Sequence, residues 1–248
     1  MRRFFVQPEL LRQSCGTISG ELFRHMSTVL RLKPGAALLL ADGCGHEAVA
    51  LIKEIGKEGM AVELQPLYAV AADEGALPVT LCQGLPKGEK MDLILQKATE
   101  LGVSRIVPFN AGRSVARLAS DRLEKRLARW ERIVQEAARQ SGRNCVPSIG
   151  FYGDLPELLR GEAGCLKLLL WEGEKEQGLR ATIEKIEKPA SVSIIIGPEG
   201  GLSSEEAVQA EKAGYIPVTL GSRILRTETA GLAVVSILQY VWGDLGCT

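Results

Sequence analysis

Two short stretches near the C-terminus combine glycine with charged and small polar residues in spacings that suit ligand binding. Gly197-Pro198-Glu199-Gly200-Gly201 follows the apolar run Val192 to Ile196. Leu220-Gly221-Ser222-Arg223-Ile224-Leu225-Arg226-Thr227-Glu228-Thr229-Ala230 follows the apolar run Ile216 to Leu220. Glycine lets the main chain bend sharply and come close to a ligand. Amides leading into a helix that opens at Ser203 can hold an anion or a carboxylate. A plain strand-to-helix turn would also use Gly200-Gly201. In the second stretch a helix N-cap accounts for Thr227 or Thr229. It does not account for Arg223, Arg226 and Glu228 packed between an apolar strand and an apolar helix. Ligands of open α/β sheets bind at the carboxyl ends of strands, so two such loops on consecutive strands predict the walls of one pocket.

The elements that must carry these loops alternate. From Leu77 onward the pattern predicts strands at Leu77–Gln83, Arg105–Phe109, Leu166–Trp171, Ser191–Ile196 and Ile216–Leu220. Between and after them it predicts helices at Lys90–Leu101, Ser120–Ser141, Gly178–Ile186, Ser203–Ala213 and Thr229–Trp242. Met91, Ile94, Leu95, Ala98 and Leu101 share one face of the first helix; Leu123, Leu127, Trp130, Val134 and Ala137 share one face of the second. Ser203 with Glu206 three residues on is a capping-box pattern. Repeated β-α alternation implies an α/β domain with a mainly parallel sheet covered by helices on both faces.

The N-terminal part reads differently. Strands are predicted at Arg2–Val6, Ala37–Ala41, Glu47–Ile55 and Met60–Leu64, with one helix at Glu21–Leu30. Pro34-Gly35, Asp42-Gly43-Cys44-Gly45 and Gly56-Lys57-Glu58-Gly59 punctuate them as turns. Several short strands in about 70 residues suggest a small β-barrel. The stretch Ala69–Ala76 reads as a linker, which divides the 248 residues into domains at 1–72 and 73–248.

Composition narrows the function. Lys and Arg balance Asp and Glu at 30 each, but the charge is uneven: residues 1–35 carry +4 and residues 112–143 carry +5. Two basic patches on a neutral chain fit a localised polyanion footprint, or ordinary solvated faces. Six cysteines at 15, 44, 82, 145, 165 and 247 form no C-x-x-C pair, and only His25 and His46 could assist them, so no metal is expected. No apolar run reaches the length of a membrane span, and the basic N-terminus lacks the apolar stretch of a signal peptide. The expectation is a cytoplasmic protein with reduced thiols. No P-loop, no G-x-G-x-x-G after the first strand of the α/β region and no nucleophile elbow occur, which sets aside kinases, common dehydrogenases and serine hydrolases.

The two C-terminal stretches together resemble the cofactor region of the SPOUT methyltransferases, and most closely the RsmE family, which methylates N3 of a uridine in small-subunit ribosomal RNA. Further segments agree with that family. They are Pro86-Lys87-Gly88-Glu89-Lys90-Met91-Asp92, Gln96-Lys97-Ala98-Thr99-Glu100-Leu101-Gly102-Val103 and Glu136-Ala137-Ala138-Arg139-Gln140-Ser141-Gly142-Arg143. Arg2-Arg3-Phe4-Phe5 and His25 to Arg31 resemble its N-terminal PUA-like barrel. The resemblance spans nearly the whole chain. It implies a trefoil-knotted C-terminal domain, S-adenosylmethionine as methyl donor, and a homodimer with each site bordered by the partner chain. The same fold could serve another RNA target, a transfer RNA or a ribose hydroxyl, or persist in a non-catalytic RNA-binding assembly factor.

Carried onto this chain, the resemblance implies a cofactor pocket with three walls. Leu170, Trp171 and Glu172 form one; Gly197, Glu199, Gly200 and Gly201 the second; Leu220, Gly221, Ile224, Leu225, Arg226, Thr229 and Ala230 the third. Uridine N3 carries a proton that must leave, so a base or an anion-stabilising cation should assist. Arg226 is the candidate for stabilising the uridine anion. Glu228 is a candidate base, or an orienter of Arg226, or simply a charge favoured at a helix N-terminus. Glu100, Gln140 and Arg143 are further candidates near the RNA. Arg2, Arg3, Arg24, Arg31, Arg113 and Arg117 would grip phosphates of ribosomal RNA or the small subunit, in salt-sensitive contacts that do not read sequence.

Overall fold

The structure, a computed structural model, describes residues 3–66, 68–69, 77–114, 117–118 and 120–246. Arg2, Cys247 and nearly all of the expected linker lie outside the described residues. The chain divides into two compact units. The first holds the residues up to 73 together with Ala138–Val146; the second holds Glu74–Ala137 and Pro147 onward.

In the first unit, strands β1 (Arg3–Phe5), β2 (Cys15–Ser19), β3 (Ala37–Ala41), β4 (His46–Ile55), β5 (Gly59–Leu64) and β6 (Tyr68–Ala69) form one sheet in the order β1-β3-β4-β5-β2, with β6 pairing β4. Only β1 and β3 run parallel; the other pairs are antiparallel. Alternate residues of β4 and β5 (Ala48, Ala50, Ile52, Met60, Val62, Leu64) enter a single core with Phe4, Ile18, Leu38, Leu40 and Met26, as the two-residue period of a strand requires. The expected helix at 21–30 is two pieces. Helix α1 (Pro8–Leu11) precedes β2, and α2 (Gly20–Arg24) then widens into a π-helical turn over His25–Val29. Strand β2 was not expected: Cys15-Gly16-Thr17-Ile18-Ser19 buries only Ile18, so its apolar signal is weak. Arg31, just past the turn, holds φ +50, an uncommon value for a residue with a side chain.

The second unit is a six-stranded sheet in the order β12-β10-β11-β7-β8-β9. The strands are β7 (Val79–Gly84), β8 (Arg105–Phe109), β9 (Ser148–Ile149), β10 (Leu166–Leu170), β11 (Val192–Ile196) and β12 (Ile216–Val218). Every ladder between them is parallel. The helices are α3 (Lys90–Glu100), α4 (Ser120–Ser141, whose residues from Ala138 onward belong to the first unit), α5 (Leu155–Gly161), α6 (Leu179–Ile183), α7 (Ser204–Lys212) and α8 (Thr227–Trp242). Central strand β11 is buried at all five positions, as expected of a strand covered on both faces. Cys82, Val107, Leu169 and Ile195 face a core shared with α5 and α7. On the other side α3 and α8 pack together, and α8 also meets β7 and β11. Gln239, fully buried in α8, satisfies its amide by donating to the carbonyls of Leu77 (3.0 Å) and Gly102 (3.2 Å) and accepting from Leu77 N–H (3.2 Å). It staples the end of α8 to the start of β7 and the turn after α3. Strand β12 ends two residues earlier than expected, which gives Thr219 and Leu220 to the following loop.

Candidate functional site

The carboxyl ends of β10, β11 and β12 open onto a cavity of about 860 Å³, within the usual range for small-molecule sites. Leu170, Trp171 and Glu172 line it from β10. Gly197, Pro198, Glu199, Gly201 and Leu202 line it from the loop after β11, and Leu220 through Thr227 with Ala230 from the loop after β12. Three predicted walls therefore meet in one place. Two predicted residues do not reach it. Gly200 is turned toward Arg113: a Cβ there would lie 3.1 Å from the Arg113 carbonyl oxygen and 3.1 Å from its Cβ. Thr229 is exposed on the first turn of α8, its N–H bonded to the carbonyl of Arg226.

The glycines of the first loop serve packing of main chain on main chain more than approach to a ligand. A Cβ on Gly197 would stand 3.0 Å from Gly201 C and Leu202 N. Gly84, at the end of β7, is tighter still: its Cβ would stand 2.7 Å from Pro198 N and Cδ. Neither distance is tolerable for a real side chain without moving backbone. Beneath the loop, Thr227 Oγ1 donates to Gly197 O (2.6 Å) and accepts from Gln83 Nε2 (2.8 Å). Thr227 is buried, so this hydroxyl ties the glycine loop to the start of α8 in a dry setting where each bond counts. Arg226, not a threonine, occupies the N-cap position of α8, with no side-chain cap. The capping box is present as expected: Ser203 Oγ accepts from Glu206 N–H (3.2 Å) while Glu206 Oε2 accepts from Ser203 N–H (2.8 Å).

Charge at the rim is organised around a residue the sequence reading had not singled out. Lys90, the first residue of α3, lines the cavity. Its Nζ lies 2.9 Å from Glu199 Oε1 and 3.5 Å from Glu228 Oε2. Burial alone would raise the Glu199 carboxyl. The Lys90 hydrogen bond, its own backbone N–H and that of Lys87 outweigh this and hold it below the usual carboxylate range. The Glu199 hydrogen bond in turn raises the Lys90 ammonium. Glu228 therefore faces Lys90. The expectation that it orients Arg226 is not met, since among the described residues Arg226 forms no ion pair. Glu228 Oε2 is buried and accepts no hydrogen bond. Arg226 and Arg223 are exposed along the cavity edge. Glu100 is paired with Lys97 at 2.8 Å and does not line the cavity.

The expected phosphate-gripping residues fall into three groups. Arg24 and Arg31 are exposed in the first unit, where Gln140 is exposed and Arg143 half-buried. Arg3 is engaged instead in structure: its Nε lies 2.6 Å from Glu47 Oε1, and its Nη1 donates to the Gly142 carbonyl. Glu47 is only 3% exposed, so its charge needs that partner. Arg113 and Arg117 are exposed in the second unit, and Arg113 Nη1 donates to Gly200 O (3.3 Å). Among the described residues no helix is long and apolar enough to cross a membrane, and no group of three or more His, Cys, Asp or Glu is placed to hold a metal ion.

Comparison with known proteins agrees with this architecture. Residues 73–239 match the RNA methyltransferase domain family, and residues 18–65 match the RNA methyltransferase PUA domain. A ribosomal RNA small subunit methyltransferase E of Bacillus subtilis is 33% identical over 250 residues, covering 97% of this chain and 96% of the relative. A crystal structure of a ribosomal RNA small subunit methyltransferase E from Neisseria gonorrhoeae bound to S-adenosyl methionine superposes with a TM-score of 0.85 at 34% identity, covering 98% of this chain and 99% of that one. A methyltransferase structure from Legionella pneumophila with bound SAM gives 0.87 at 32% identity, covering 98% of each chain. A parallel sheet with a cavity at its strand ends, joined to a PUA domain, defines the class: this is a two-domain RNA methyltransferase. Within that class, the chain belongs to the ribosomal RNA small subunit methyltransferase E family.

Proposed function

We propose that this chain methylates N3 of a uridine in small-subunit ribosomal RNA, with S-adenosylmethionine as the donor. The observation that carries the reading is the convergence of three strand-end loops on one cavity with an unpaired arginine, Arg226, at its rim. The donor set fits the cofactor. Leu170, Ile196, Val218 and Leu225 offer apolar surface to an adenine, while the exposed carboxylate of Glu172 suits a ligand carrying positive charge. Bound there, S-adenosylmethionine supplies an electrophilic methyl group. Arg226 stabilises the negative charge that develops on the uracil ring as its N3 proton leaves. Glu228 is the proton acceptor: its carboxylate is partly buried at the cavity rim, with Oε2 3.5 Å from Lys90 Nζ. The exposed Arg24, Arg31, Arg113 and Arg117 hold phosphates and present the base.

Three further features belong to the same reading. The second unit is a trefoil knot, which is supported by the way Thr219 exchanges backbone hydrogen bonds with Gln177 and Leu179 before the chain turns into α8. The protein acts as a homodimer, supported by Ile237, Tyr240 and Val241, which share one face of α8 and are 38%, 71% and 46% exposed. Its place is the cytoplasm, where its substrate is assembled. The test is methyl transfer from labelled S-adenosylmethionine to small subunits lacking the modification, with mass spectrometry of the product nucleosides. 3-Methyluridine is the expected product. A different methylated nucleoside overturns the target, and neither transfer nor cofactor binding overturns the enzyme reading.

A further inference from the structure

Between β8 and α4 the described residues, 110–114 and 117–118, form an arm fastened to the glycine loop. Asn110 closes its base, accepting from Leu118 N–H (3.0 Å) and donating to Leu118 O (3.3 Å). Ser114 Oγ accepts from Ala111 N–H (3.1 Å), which tightens the turn. Two contacts then join the arm to the segment after β11. Gly112 N–H donates to Glu206 Oε1 (2.8 Å), while the other oxygen of that carboxylate accepts from Ser203 N–H (2.8 Å). Arg113 Nη1 donates to Gly200 O (3.3 Å), with Gly200 lying against the Arg113 backbone. One carboxylate thus bridges the arm and the start of α7, and one guanidinium bridges the arm and the glycine loop itself. Arg113 and Arg117 remain exposed. A guanidinium has five N–H donors, so Arg113 can hold Gly200 O and a phosphate oxygen together.

We infer that this arm couples the two ligands of the enzyme: RNA phosphate held by Arg113 and Arg117 stiffens the glycine loop that walls the cofactor cavity, and cofactor in the cavity preorganises the arm for RNA. The inference rests on the proposed function above. The coupling is reciprocal by linkage, and Glu206 is its positioning residue, touching neither ligand. Isosteric Glu206→Gln removes one of the two acceptor oxygens, so the carboxamide cannot hold Gly112 and Ser203 together. Arg113→Met keeps the aliphatic stem beside Gly200 and removes the donor, without touching the cap of α7.

The experiment is equilibrium dialysis of radiolabelled S-adenosylhomocysteine with and without saturating unmodified small ribosomal subunits, for the wild type and both variants. Wild type is expected to bind S-adenosylhomocysteine about fivefold or more tightly when RNA is present. Both variants should lose that enhancement. Glu206→Gln should keep its RNA affinity without cofactor within about threefold, a result that a merely unfolded α7 would not give. Wild type that binds both ligands with no enhancement overturns the coupling and leaves the proposed function standing. Full enhancement in both variants overturns the assignment of the arm. Wild type that binds no S-adenosylhomocysteine at all overturns the reading of the cavity, and the coupling with it.

Discussion

The loop after β11 and the loop after β12 border the same cavity, yet they are built in opposite ways. The first is held from every side: Gly84 and Pro198 press main chain against main chain, Thr227 bonds Gly197 from below, and Lys90, Arg113 and Glu206 grip it from flanking elements. The second is held at its start, where Thr219 bonds Gln177 and Leu179 and its hydroxyl caps Gly221. Beyond that, Ser222, Arg223 and Arg226 are exposed, and Ile224 is 85% exposed. Gly221 itself sits at φ +114 with nothing near its missing Cβ. The difference separates two tasks. The first loop is a wall whose shape is set by the fold; the second keeps apolar and cationic side chains free for what arrives from outside.

If that division holds, damage to the first loop lowers stability and cofactor affinity together, and damage to the second lowers function alone. Gly84→Val should have the largest effect, since no rotamer escapes a backbone atom 2.7 Å away. A loss of about 3 kcal/mol or more in urea unfolding is expected, with cofactor binding abolished in calorimetry. An unperturbed Gly84→Val would break the comparison at its base. Arg226→Ala should lower turnover about 10²–10³-fold while leaving cofactor affinity within about tenfold and the unfolding midpoint unchanged. Parallel loss of stability would make Arg226 part of the scaffold after all. Thr227, although it follows the second loop, supports the first. Thr227→Val removes the hydroxyl between Gln83 and the Gly197 carbonyl, leaving them the direct Gln83 Nε2 contacts to Gly84 O (3.0 Å) and Gly197 O (3.4 Å), and should cost about 1 kcal/mol, read by unfolding and accompanied by weaker cofactor binding. Ile224→Ala should change stability by no more than about 0.5 kcal/mol, yet weaken cofactor binding measurably.

The smallest effect is a pH dependence of the wall. The Glu199 carboxyl lies below its ordinary 4.5 in the folded protein because Lys90 and backbone N–H groups more than offset its burial. A depressed pKa contributes stability that is present above the unfolded value and lost as pH falls through the folded one. The stability difference between wild type and Glu199→Gln should therefore be constant near neutrality and narrow below about pH 4.5. A difference that grows on acidification would remove Glu199 from the wall.

Much of the α/β unit was legible because its signals are local. The apolar spacing on α3 and α4 and the Ser203–Glu206 box depend on residues within a few positions of each other, and β8 and α4 begin and end where the pattern puts them. Strand β9 and helix α5 escaped notice because two residues of strand carry no periodicity and Leu155–Gly161 makes only two turns. The cavity walls were legible as glycine-rich strand ends. The partners were not. Glu228 meets Lys90 across 138 positions of sequence, Arg113 meets Gly200, and Arg3 meets Glu47; no spacing rule announces an ion pair made by tertiary folding. Gly84 was passed over for a related reason: a lone glycine at a strand end says nothing of the proline that will be laid across it.

The return of Ala138–Val146 to the first unit has a consequence for how this protein can be cut and recombined. Those nine residues supply the Gly142 carbonyl to Arg3, the Val146 N–H to Gly43 O (2.9 Å) and an antiparallel backbone β-bridge pairing Cys145 with Cys44, both of them free thiols. The N-terminal module is therefore discontinuous in the gene although continuous in space. A fragment ending near residue 73 lacks a piece of its own surface, and a graft of that fragment onto another enzyme would carry the gap with it. Shuffling this module between proteins requires two joints to be matched, not one.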